Sequence, residues 1–394
     1  MFFFLFILHS FMMEGFMKKI IVILLIIMTC FKVSAEELVP NAKSAILIDP
    51  DSKKILFEKN IYDELSVASL TKMMGLVLIF EQIDAGKINY TDKVVASANA
   101  AAMGGSQIWL SAGEELTVDE LLKGIIMASG NDAIVAMAEY VGGSEENFVK
   151  MMNNKARELK LIHTNFVNPT GLDEKGHYSS AYDLAIIASE LMKHPDVFKY
   201  TTLYEDYLRK DTDNKFWLVN TNKLLKSYRG VDGLKTGMTD DAGYCMAVTA
   251  KRDGMRILAI VLGEKEGKVR NKETSELLDY GFNNYEVTTI KKQGDKVGEI
   301  SLDKAIPETI DVTIDSDITI MNSKNDKGKE YKSEVKLDNI KLPIKKGEVI
   351  GELVVKDDNN IVKRVPLKSN SDMKKRSFIN LWGNLLKSIF TGDL

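Results

Sequence analysis

The segment from residue 69 to residue 86 constrains the fold more than any other part of the chain. Read as a helix, it is apolar around nearly its whole circumference. A helix of that kind is surrounded by other elements rather than laid on a surface. We therefore expect it to run through the core of a domain. The positions that produce the pattern are Met73, Met74, Leu76, Val77, Ile79 and Phe80.

Strand patterns flank a helical middle region. Alternation of apolar and polar residues predicts β-hairpins at 44–59 and 243–262. Between them, helix start signals occur at Thr117, Ser144 and Ser180. This order predicts an α/β domain of the α+β type, with an antiparallel sheet and a helical subdomain rather than βαβ repeats.

With 394 residues, the chain is long enough for two domains. We expect the first at 36–285. At 286–368 short alternating runs separated by Lys, Asp, Asn and Gly predict a small all-β domain. In the tail, 369–394, a basic leading edge precedes one apolar helical stripe, which predicts a helix in a membrane interface, although a helix packed on its own domain is the alternative. The stripe contains Phe378, Ile379, Trp382, Leu385, Leu386, Ile389 and Phe390.

Residues 1–35 have the pattern of a cleavable secretory signal: a basic pair, an apolar run at 20–28 and small residues before Ala35. The run is short against the roughly 20 residues that a membrane span needs. We expect cleavage after Ala35 and secretion, with an uncleaved anchor as the alternative. A lipid attachment at Cys30 fits poorly with Met28 and Thr29 before it. Cleavage leaves Cys245 as the single cysteine, so no intramolecular disulfide is expected.

Composition excludes several function classes. A hydrophobic content of 45% and a charged content of 27% are those of a globular protein. The net charge of -4 comes with no clustered basic footprint, so no nucleic-acid partner is expected. The histidines show no metal spacing, and neither a phosphate-binding loop nor a dinucleotide fingerprint occurs. We expect neither a metal nor an organic cofactor.

Ser69 and Lys72 stand where a helix would place both side chains on one face. A serine hydroxyl is a weak nucleophile until a neighbouring base takes its proton. Lysine can be that base only when burial or a second cation lowers its pKa. The apolar helix and another lysine would provide both conditions. Alone the pattern is weak evidence, because roughly two chance matches are expected in a chain of this length.

Two rarer tripeptides follow. Ser129-Gly130-Asn131 comes after an apolar helical segment, and Lys235-Thr236-Gly237 stands at the start of a strand pattern. In a chain of this length, each tripeptide is expected to occur by chance only about 0.1–0.2 times. A helix C-cap and a turn are the structural alternatives. Neither alternative accounts for three motifs in this order, so we predict that they line one cleft.

With these motifs the chain resembles the low-molecular-weight penicillin-binding proteins, the serine D-alanyl-D-alanine carboxypeptidases, whose superfamily carries such a set. The resemblance covers essentially residues 36–390. It implies a β-lactamase/transpeptidase-like catalytic domain, peptidoglycan stem peptides ending in D-Ala-D-Ala as substrate, β-lactams as covalent inhibitors, and a place at the outer face of the cytoplasmic membrane. The other segments that carry it are 68–74, 130–133, 168–172, 179–183 and 231–237.

The resemblance also implies catalytic roles. Ser69 would attack the carbonyl between the two D-alanines, with Lys72 as its general base. Ser129 and Lys235 would relay the proton to the departing D-alanine. The backbone N–H groups of Ser69 and Met238 would form the oxyanion hole. Because only backbone is used there, an apolar side chain at Met238 is compatible with the hole.

A second group would hold the substrate. By the same resemblance, Asn131 would bind the amide of the acyl side chain. Thr236 and Lys235 would receive the terminal carboxylate, with Gly237 in the same strand. Arg270 would support that anion from nearby.

Rival functions differ in what they require. A class A β-lactamase needs a glutamate aimed at the hydrolytic water, and no E-x-x-L-N segment follows Asn131, where residues 158–162 read ELKLI. A D,D-endopeptidase acting on peptidoglycan cross-links is the nearer alternative, because only the leaving group differs. A non-catalytic wall-binding protein is the third, although every motif residue is intact.

Overall fold

A computed structural model of the protein describes residues 37–376 except for 304, 327, 328, 339 and 359. The predicted signal at 1–35 and the predicted tail from residue 377 onward lie outside the described residues. Among the described residues, no helix combines the length and the apolar character needed to cross a membrane. All elements below belong to the unit that begins at Asn41.

One antiparallel sheet organises the N-terminal part of this unit. The strands there are β1 Ser44–Ile48, β2 Ile55–Lys59, β3 Lys93–Val95, β4 Glu115–Thr117, β5 Glu205–Leu208, β6 Phe216–Val219, β7 Val231–Thr239, β8 Gly243–Arg252 and β9 Met255–Glu264. The sheet has the order β2-β1-β9-β8-β7, while β3 pairs with β4 and β5 with β6. Both predicted hairpins are confirmed, as β1–β2 and β8–β9. They join in one sheet because β1 pairs with β9.

Helices cover the sheet and form the middle of the chain. They are α1 Lys72–Asp84, α2 Ala98–Ala101, α3 Val118–Met127, α4 Asn131–Gly142, α5 Glu145–Glu158, α6 Ala181–Leu191, α7 Phe198–Thr201, α8 Leu224–Ser227 and α9 Gly267–Asn284. The predicted start signals are confirmed. Thr117 forms a capping box with Glu120, and the side chains of Ser144 and Ser180 accept hydrogen bonds from the first turns of α5 and α6.

The predicted core helix is α1, and it begins three residues later than the pattern indicated. A 3-10 turn, Ala68–Thr71, precedes it and carries Ser69. Every residue of α1 from Lys72 to Phe80 is buried, because α4, α5 and α6 pack around it. The 3-10 turn contacts β7. The helix therefore connects the apolar core to the edge of the sheet.

The C-terminal part is all β, as predicted. Its strands are β10 Tyr285–Lys291, β11 Lys296–Ser301, β12 Ala305–Ile306, β13 Thr309–Thr313, β14 Ile318–Ser323, β15 Tyr331–Leu337, β16 Val349–Asp357, β17 Asn360–Lys368 and β18 Lys374–Lys375. Alternate residues such as Ile310, Val312 and Ile318 point into a separate apolar core. Lys54 Nζ donates to Met321 O at 3.3 Å, which links this part to the β1–β2 hairpin.

The predicted boundary between the β domain and the tail is wrong. The β domain does not end at residue 368, and residues 369–376 of the predicted tail are not helical. Met373 is fully buried, its backbone exchanges hydrogen bonds with Ile344, and β18 pairs with β12. Burial of this side chain and pairing of its backbone with Ile344 hold Met373 in the β domain.

Candidate active site

The three sequence motifs meet at one place. Ser69 lies in the 3-10 turn before α1, Ser129 in the link between α3 and α4, and Lys235 in β7. The approach of β7 to the serine turn is close: a Cβ atom on Gly237 would stand 3.0 Å from the backbone nitrogen of Ser69. A glycine is therefore the residue that lets the strand lie against the turn.

Backbone in the left-handed region occurs in both segments that carry the motif serines. The φ angles are 49° at Ala68 and 63° at Ser129. Non-glycine residues adopt such angles at a cost and keep them only where surrounding contacts fix them. The strained residues are Ser129 itself and the residue directly before Ser69, a distribution that is typical of functional sites.

Lys72 is at the centre of the cluster. Its side chain is fully buried, and Nζ lies 2.9 Å from Ser69 Oγ, 2.6 Å from Asn131 Oδ1 and 2.7 Å from the carbonyl oxygen of Thr170. Burial, together with the charge of Lys235, holds the pKa of Lys72 well below its ordinary value, and Asp132 opposes this shift. The lysine is thus placed to lose its proton in the folded protein.

Lys235 makes a parallel contact with the second serine. Lys235 Nζ donates to Ser129 Oγ at 2.8 Å and to the carbonyl oxygen of Thr236 at 2.8 Å. Burial, aided by the nearby Arg270 charge, lowers the pKa of Lys235 to about 7. Lysine is strongly hydrated when exposed, so two buried lysines in one cleft are a costly arrangement.

Asn131 joins the cluster to the cleft wall. Its Oδ1 accepts from Lys72, and its Nδ2 donates to Gly104 O at 2.7 Å. One Nδ2 hydrogen is left for another acceptor. The arrangement is compatible with the predicted role of Asn131 in binding a substrate amide, which stays a prediction.

The remaining predicted residues lie along β7 and behind it. Thr236 Oγ1 donates to Thr221 Oγ1 at 2.7 Å, and Met238 is 54% exposed. Arg270 is buried, and its guanidinium donates to Cys245 O at 3.4 Å and to Asn271 Oδ1 at 2.8 Å. Because Cys245 pairs with Gly237 across the strands, Arg270 reaches the motif strand through β8.

The helix that carries Arg270 begins earlier than predicted. The sequence pattern predicts a helix near 273–280. Instead α9 starts at Gly267, so Arg270 lies in its first turn. The arginine is thereby held by a regular helix that packs on the sheet.

The turn at 168–171 fixes Lys72 from the opposite side, a role that the sequence did not indicate. The φ of Gly171 is +81°, and a Cβ atom there would stand 1.9 Å from the carbonyl oxygen of Ala68. Asn168 Oδ1 accepts from Thr170 Oγ1 and from the Gly171 N–H, which shapes this turn. The Asn-Pro-Thr-Gly sequence is typical of a turn, but nothing in it indicates that the Thr170 carbonyl meets a lysine.

Asp132 was also without an assigned role. Its carboxylate accepts backbone N–H groups from Ile108 at 3.0 Å and from Leu110 at 3.0 Å. Asp132 thus ties the residues before β4 to the helix start that carries Asn131. Its negative charge also opposes the lowering of the Lys72 pKa.

Comparison with known proteins places this geometry in a family. Residues 31–266 match the family model described as D-alanyl-D-alanine carboxypeptidase. The chain belongs to that family. Residues 285–375 match the model for the C-terminal domain of penicillin-binding protein 5. The predicted resemblance is confirmed, and this second match ends beyond residue 368, as β18 does.

Two members of the D-alanyl-D-alanine carboxypeptidase family match this chain over most of their length. D-alanyl-D-alanine carboxypeptidase DacF from Bacillus subtilis (strain 168) is 50% identical over 344 residues, which are 87% of this chain and 88% of that protein. DacC from Escherichia coli (strain K12) is 35% identical, and the match covers 86% of this chain and 86% of that protein.

Solved structures of family members confirm the predicted fold class. Penicillin-binding protein 5 from Haemophilus influenzae superposes with a TM-score of 0.66 at 31% identity, over 87% of this chain and 100% of that chain. Penicillin-binding protein D2 from Listeria monocytogenes, in an ampicillin-bound form, superposes with a TM-score of 0.57 at 32% identity, over 62% of this chain and 99% of that chain.

Proposed function

We propose that this protein is a serine D-alanyl-D-alanine carboxypeptidase that removes the terminal D-alanine from peptidoglycan stem pentapeptides through an acyl-enzyme on Ser69. The observation that carries the proposal is the environment of Lys72 Nζ. Two of its neighbours, Asn131 Oδ1 and the Thr170 carbonyl, can only accept hydrogen bonds. In a neutral amine they take both N–H groups, and the lone pair is left for the Ser69 hydroxyl, 2.9 Å away.

Acylation follows from that arrangement. Lys72 takes the proton from Ser69 as Oγ attacks the carbonyl carbon of the penultimate D-alanine. The carbonyl oxygen becomes negative and is bound by the backbone N–H groups of Ser69 and Met238. The close packing of Gly237 against the Ser69 nitrogen supports this pairing, because it brings β7 beside the turn.

The second serine–lysine pair delivers a proton to the leaving group. As the C–N bond breaks, the departing D-alanine nitrogen takes a proton from Ser129, which Lys235 replenishes through its 2.8 Å contact. The proton that Lys72 took from Ser69 then passes to Lys235, which restores the starting charges, so Lys72 is again neutral and acts as the base when water attacks the ester. The ester C–O bond breaks, Ser69 regains its proton, and the shortened peptide leaves with a new carboxylate.

The free carboxylate of the substrate identifies the chain end. Lys235 and Thr236 are the groups on β7 that can bind it, and Asn131 would hold the amide on the acyl side. Arg270 adds positive charge from behind the strand, at a distance that already affects the pKa of Lys235. Charge-assisted hydrogen bonds of this kind are about twice as strong as neutral ones.

β-Lactams fit the same site as acylating agents. Their strained amide presents a carbonyl to Ser69 while a carboxylate occupies the position of the chain end. The ampicillin-bound form of the Listeria monocytogenes relative supports this part of the proposal. We therefore expect a covalent penicillin adduct on Ser69.

We also propose where the enzyme works. A secretory signal at 1–35 would carry it across the membrane, a catalytic domain at 36–285 would act on the wall, and a β domain reaching residue 375 would support it. The apolar stripe and basic leading edge of the tail then favour peripheral attachment to the outer face of the cytoplasmic membrane.

The test is mass spectrometry of the purified protein with benzylpenicillin and, separately, with a pentapeptide ending in D-Ala-D-Ala. We expect an adduct on Ser69 and loss of one D-alanine from the peptide. Ser69→Ala should abolish both while the protein stays folded, and Ser227→Ala, at an exposed serine of α8, should retain both. Penicillin labelling of Ser69→Ala would reject the assignment and direct attention to Thr71.

A further inference from the structure

Three large aromatic side chains near the cleft are exposed to solvent. Trp109 is 70% exposed, Trp217 is 56% exposed and Tyr207 is 40% exposed. Tryptophan is highly buried on average, and exposed apolar groups that cluster mark interaction sites. We call Trp109, Tyr207 and Trp217 together the aromatic surface.

Trp109 is held in place from both sides. Asp132 accepts the N–H groups of the residues before and after it, while Arg209 donates to the carbonyl of Ile108 at 3.0 Å and to the carbonyl of Trp109 at 3.3 Å. The φ of Trp109 is 59°, a region that is strained for a bulky residue. Ile108 and Leu110 are buried. These contacts fix the backbone in a strained conformation that turns the indole outward.

The other two rings lie on a hairpin that is tied to the same point. Tyr207 and Trp217 are directly opposite each other in the β5–β6 pair, where facing side chains are neighbours. Lys215 Nζ stands 4.1 Å from the centroid of the Tyr207 ring. Arg209, which binds the Trp109 carbonyl, follows β5 directly. The three rings are therefore carried by elements that hydrogen bonds connect.

A polar groove lined in part by Arg209 lies beside the aromatic surface. Its volume is about 460 Å³. Glu114 in this groove is paired with Arg209, and Glu120 is occupied by the capping box of α3. With Glu115 the groove holds three carboxylates against the two cations Lys93 and Arg209, which does not suit an anionic polymer or an anionic lipid surface. The uncharged polar lining residues are Ser111, Thr212 and Asn214.

We propose that the aromatic surface and this groove bind the glycan strand that carries the stem peptide, a β-linked chain of N-acetylated pyranose sugars. The inference rests on the proposed function for its substrate. Pyranose rings present apolar C–H faces that stack on indole and phenol rings, and their hydroxyl and amide groups pair with the polar side chains of a groove.

The position of Trp109 agrees with this occupant. Asp132, which fixes the segment that carries Trp109, follows Asn131, the residue proposed to hold the amide of the acyl side chain. In this proposal, the stem peptide held by Asn131 leads out of the cleft along this segment. Four extended residues span at most about 13–14 Å, so the sugar to which the stem is attached must lie close to the cleft.

The direct test measures binding of a soluble N-acetylglucosamine tetramer to the Ser69→Ala protein by calorimetry. We expect saturable binding that Trp109→Ala and Trp217→Ala each weaken by about tenfold, the upper range for one lost aromatic contact. Tyr140→Ala is the matched control, because Tyr140 is also 40% exposed but lies near the far end of α4 from Asn131. Absence of binding, or equal binding by the tryptophan variants, overturns the proposal.

A second measurement separates this proposal from the proposed function. Trp217→Ala should keep the kcat/KM of the parent enzyme for a sugar-free pentapeptide but lose about tenfold for a disaccharide pentapeptide. Equal loss on both substrates contradicts glycan binding. Sugar binding without any Ser69 adduct would reject the proposed function and leave this inference standing. Binding of anionic lipid vesicles that depends on Trp109 and Trp217 would assign the surface to a membrane instead.

Discussion

Thr71 and His177, which lie 106 residues apart in the chain, share a buried 2.8 Å hydrogen bond between Thr71 Oγ1 and His177 Nε2. His177 Nδ1 accepts the N–H of Val167 at 3.1 Å, so the ring proton is on Nε2 and is donated to Thr71. The imidazole thus connects the turn that carries Ser69 with the segment that leads to Thr170. We infer that this neutral histidine keeps Lys72 between its acceptors.

His177→Gln should abolish a specific pH dependence of stability. Burial lowers the pKa of His177 from 6.5 to about 4. The unfolded chain therefore binds the proton first, so stability is present above pH 6.5 and is lost as pH falls towards 4. Urea unfolding at pH 7 and at pH 5 measures the effect, and His163→Gln, at a partly exposed histidine, should behave as the parent. An unchanged pH dependence in His177→Gln would show that the imidazole is not the group responsible.

Lys72→Arg should be nearly inactive although the charge is kept. Arginine does not give up its proton in the working pH range, so it cannot accept one from Ser69. Stopped-flow acylation by penicillin is the measurement, with Lys226→Arg on the exposed face of α8 as control. Retention of more than about a tenth of the acylation rate, a loss under ~1.4 kcal/mol, would mean that another group is the base.

Arg270→Ala should weaken the preference for a free carboxylate. Amidating the terminal D-alanine should lower kcat/KM of the parent enzyme by roughly ten- to hundredfold, since a charge-assisted contact is worth about 1.5–3 kcal/mol. The same amidation should cost the variant less, and Arg252→Ala, at the end of β8, is the control. Equal turnover of acid and amide by the parent would reject the carboxypeptidase assignment and favour a D,D-endopeptidase. The variant should also shift the pKa of Lys235 upward, because the Arg270 charge lowers it.

Glu264→Gln should abolish the loss of stability that the parent protein undergoes as pH rises. Glu264 is fully buried, no donor reaches its carboxylate oxygens among the described residues, and the carboxylate of Glu273 lies close to it. Two buried carboxyl groups in contact cannot both be charged, and burial raises the pKa of Glu264 from 4.5 to about 8. The folded protein thus holds the proton longer, and stability falls as pH rises from 4.5 to 8.

Chemical unfolding at pH 6 and pH 8.5 measures that fall. The parent and Glu58→Gln, which alters an exposed carboxylate of β2, should show it, whereas Glu264→Gln should not. The amide can still donate to Glu273, so the variant should fold. A parent protein that is equally stable at both pH values would contradict the neutral state of Glu264.

Two truncations should separate membrane attachment from folding. Deleting 377–394 should release the protein from membranes without changing turnover of a soluble peptide or its unfolding. Deleting 373–394 also removes the buried Met373 and β18, so it should destabilise the protein by about 2 kcal/mol or more. Flotation with anionic vesicles and chemical unfolding are the measurements. If the protein that lacks 377–394 still sediments with membranes, the anchor lies elsewhere. An uncleaved N-terminus would then explain the attachment better.

The sequence alone was sufficient for the family, for the two-part architecture and for the three motifs that meet at the cleft. The three short motifs occur in a fixed order and consist of chemically specific side chains. A chance match to all three is rare, so they identify the family. Hairpins, capping residues and the core helix α1 were predictable for a related reason. Their signals are local, because capping hydrogen bonds and the alternation of strands depend on residues a few positions apart.

Only the tertiary structure decided how Lys72 is held, which residues of distant segments contact the cleft, and where the β domain ends. The Thr170 carbonyl, the Thr71–His177 bond and the contact of Gly171 with Ala68 join residues about 100 positions apart. The sequence pattern assigns residue 369 onward to the tail, yet Met373 is buried in the β domain directly before β18. Periodicity reports what a segment can form by itself, whereas backbone carbonyls and long-range packing acquire their partners only when the chain closes around them.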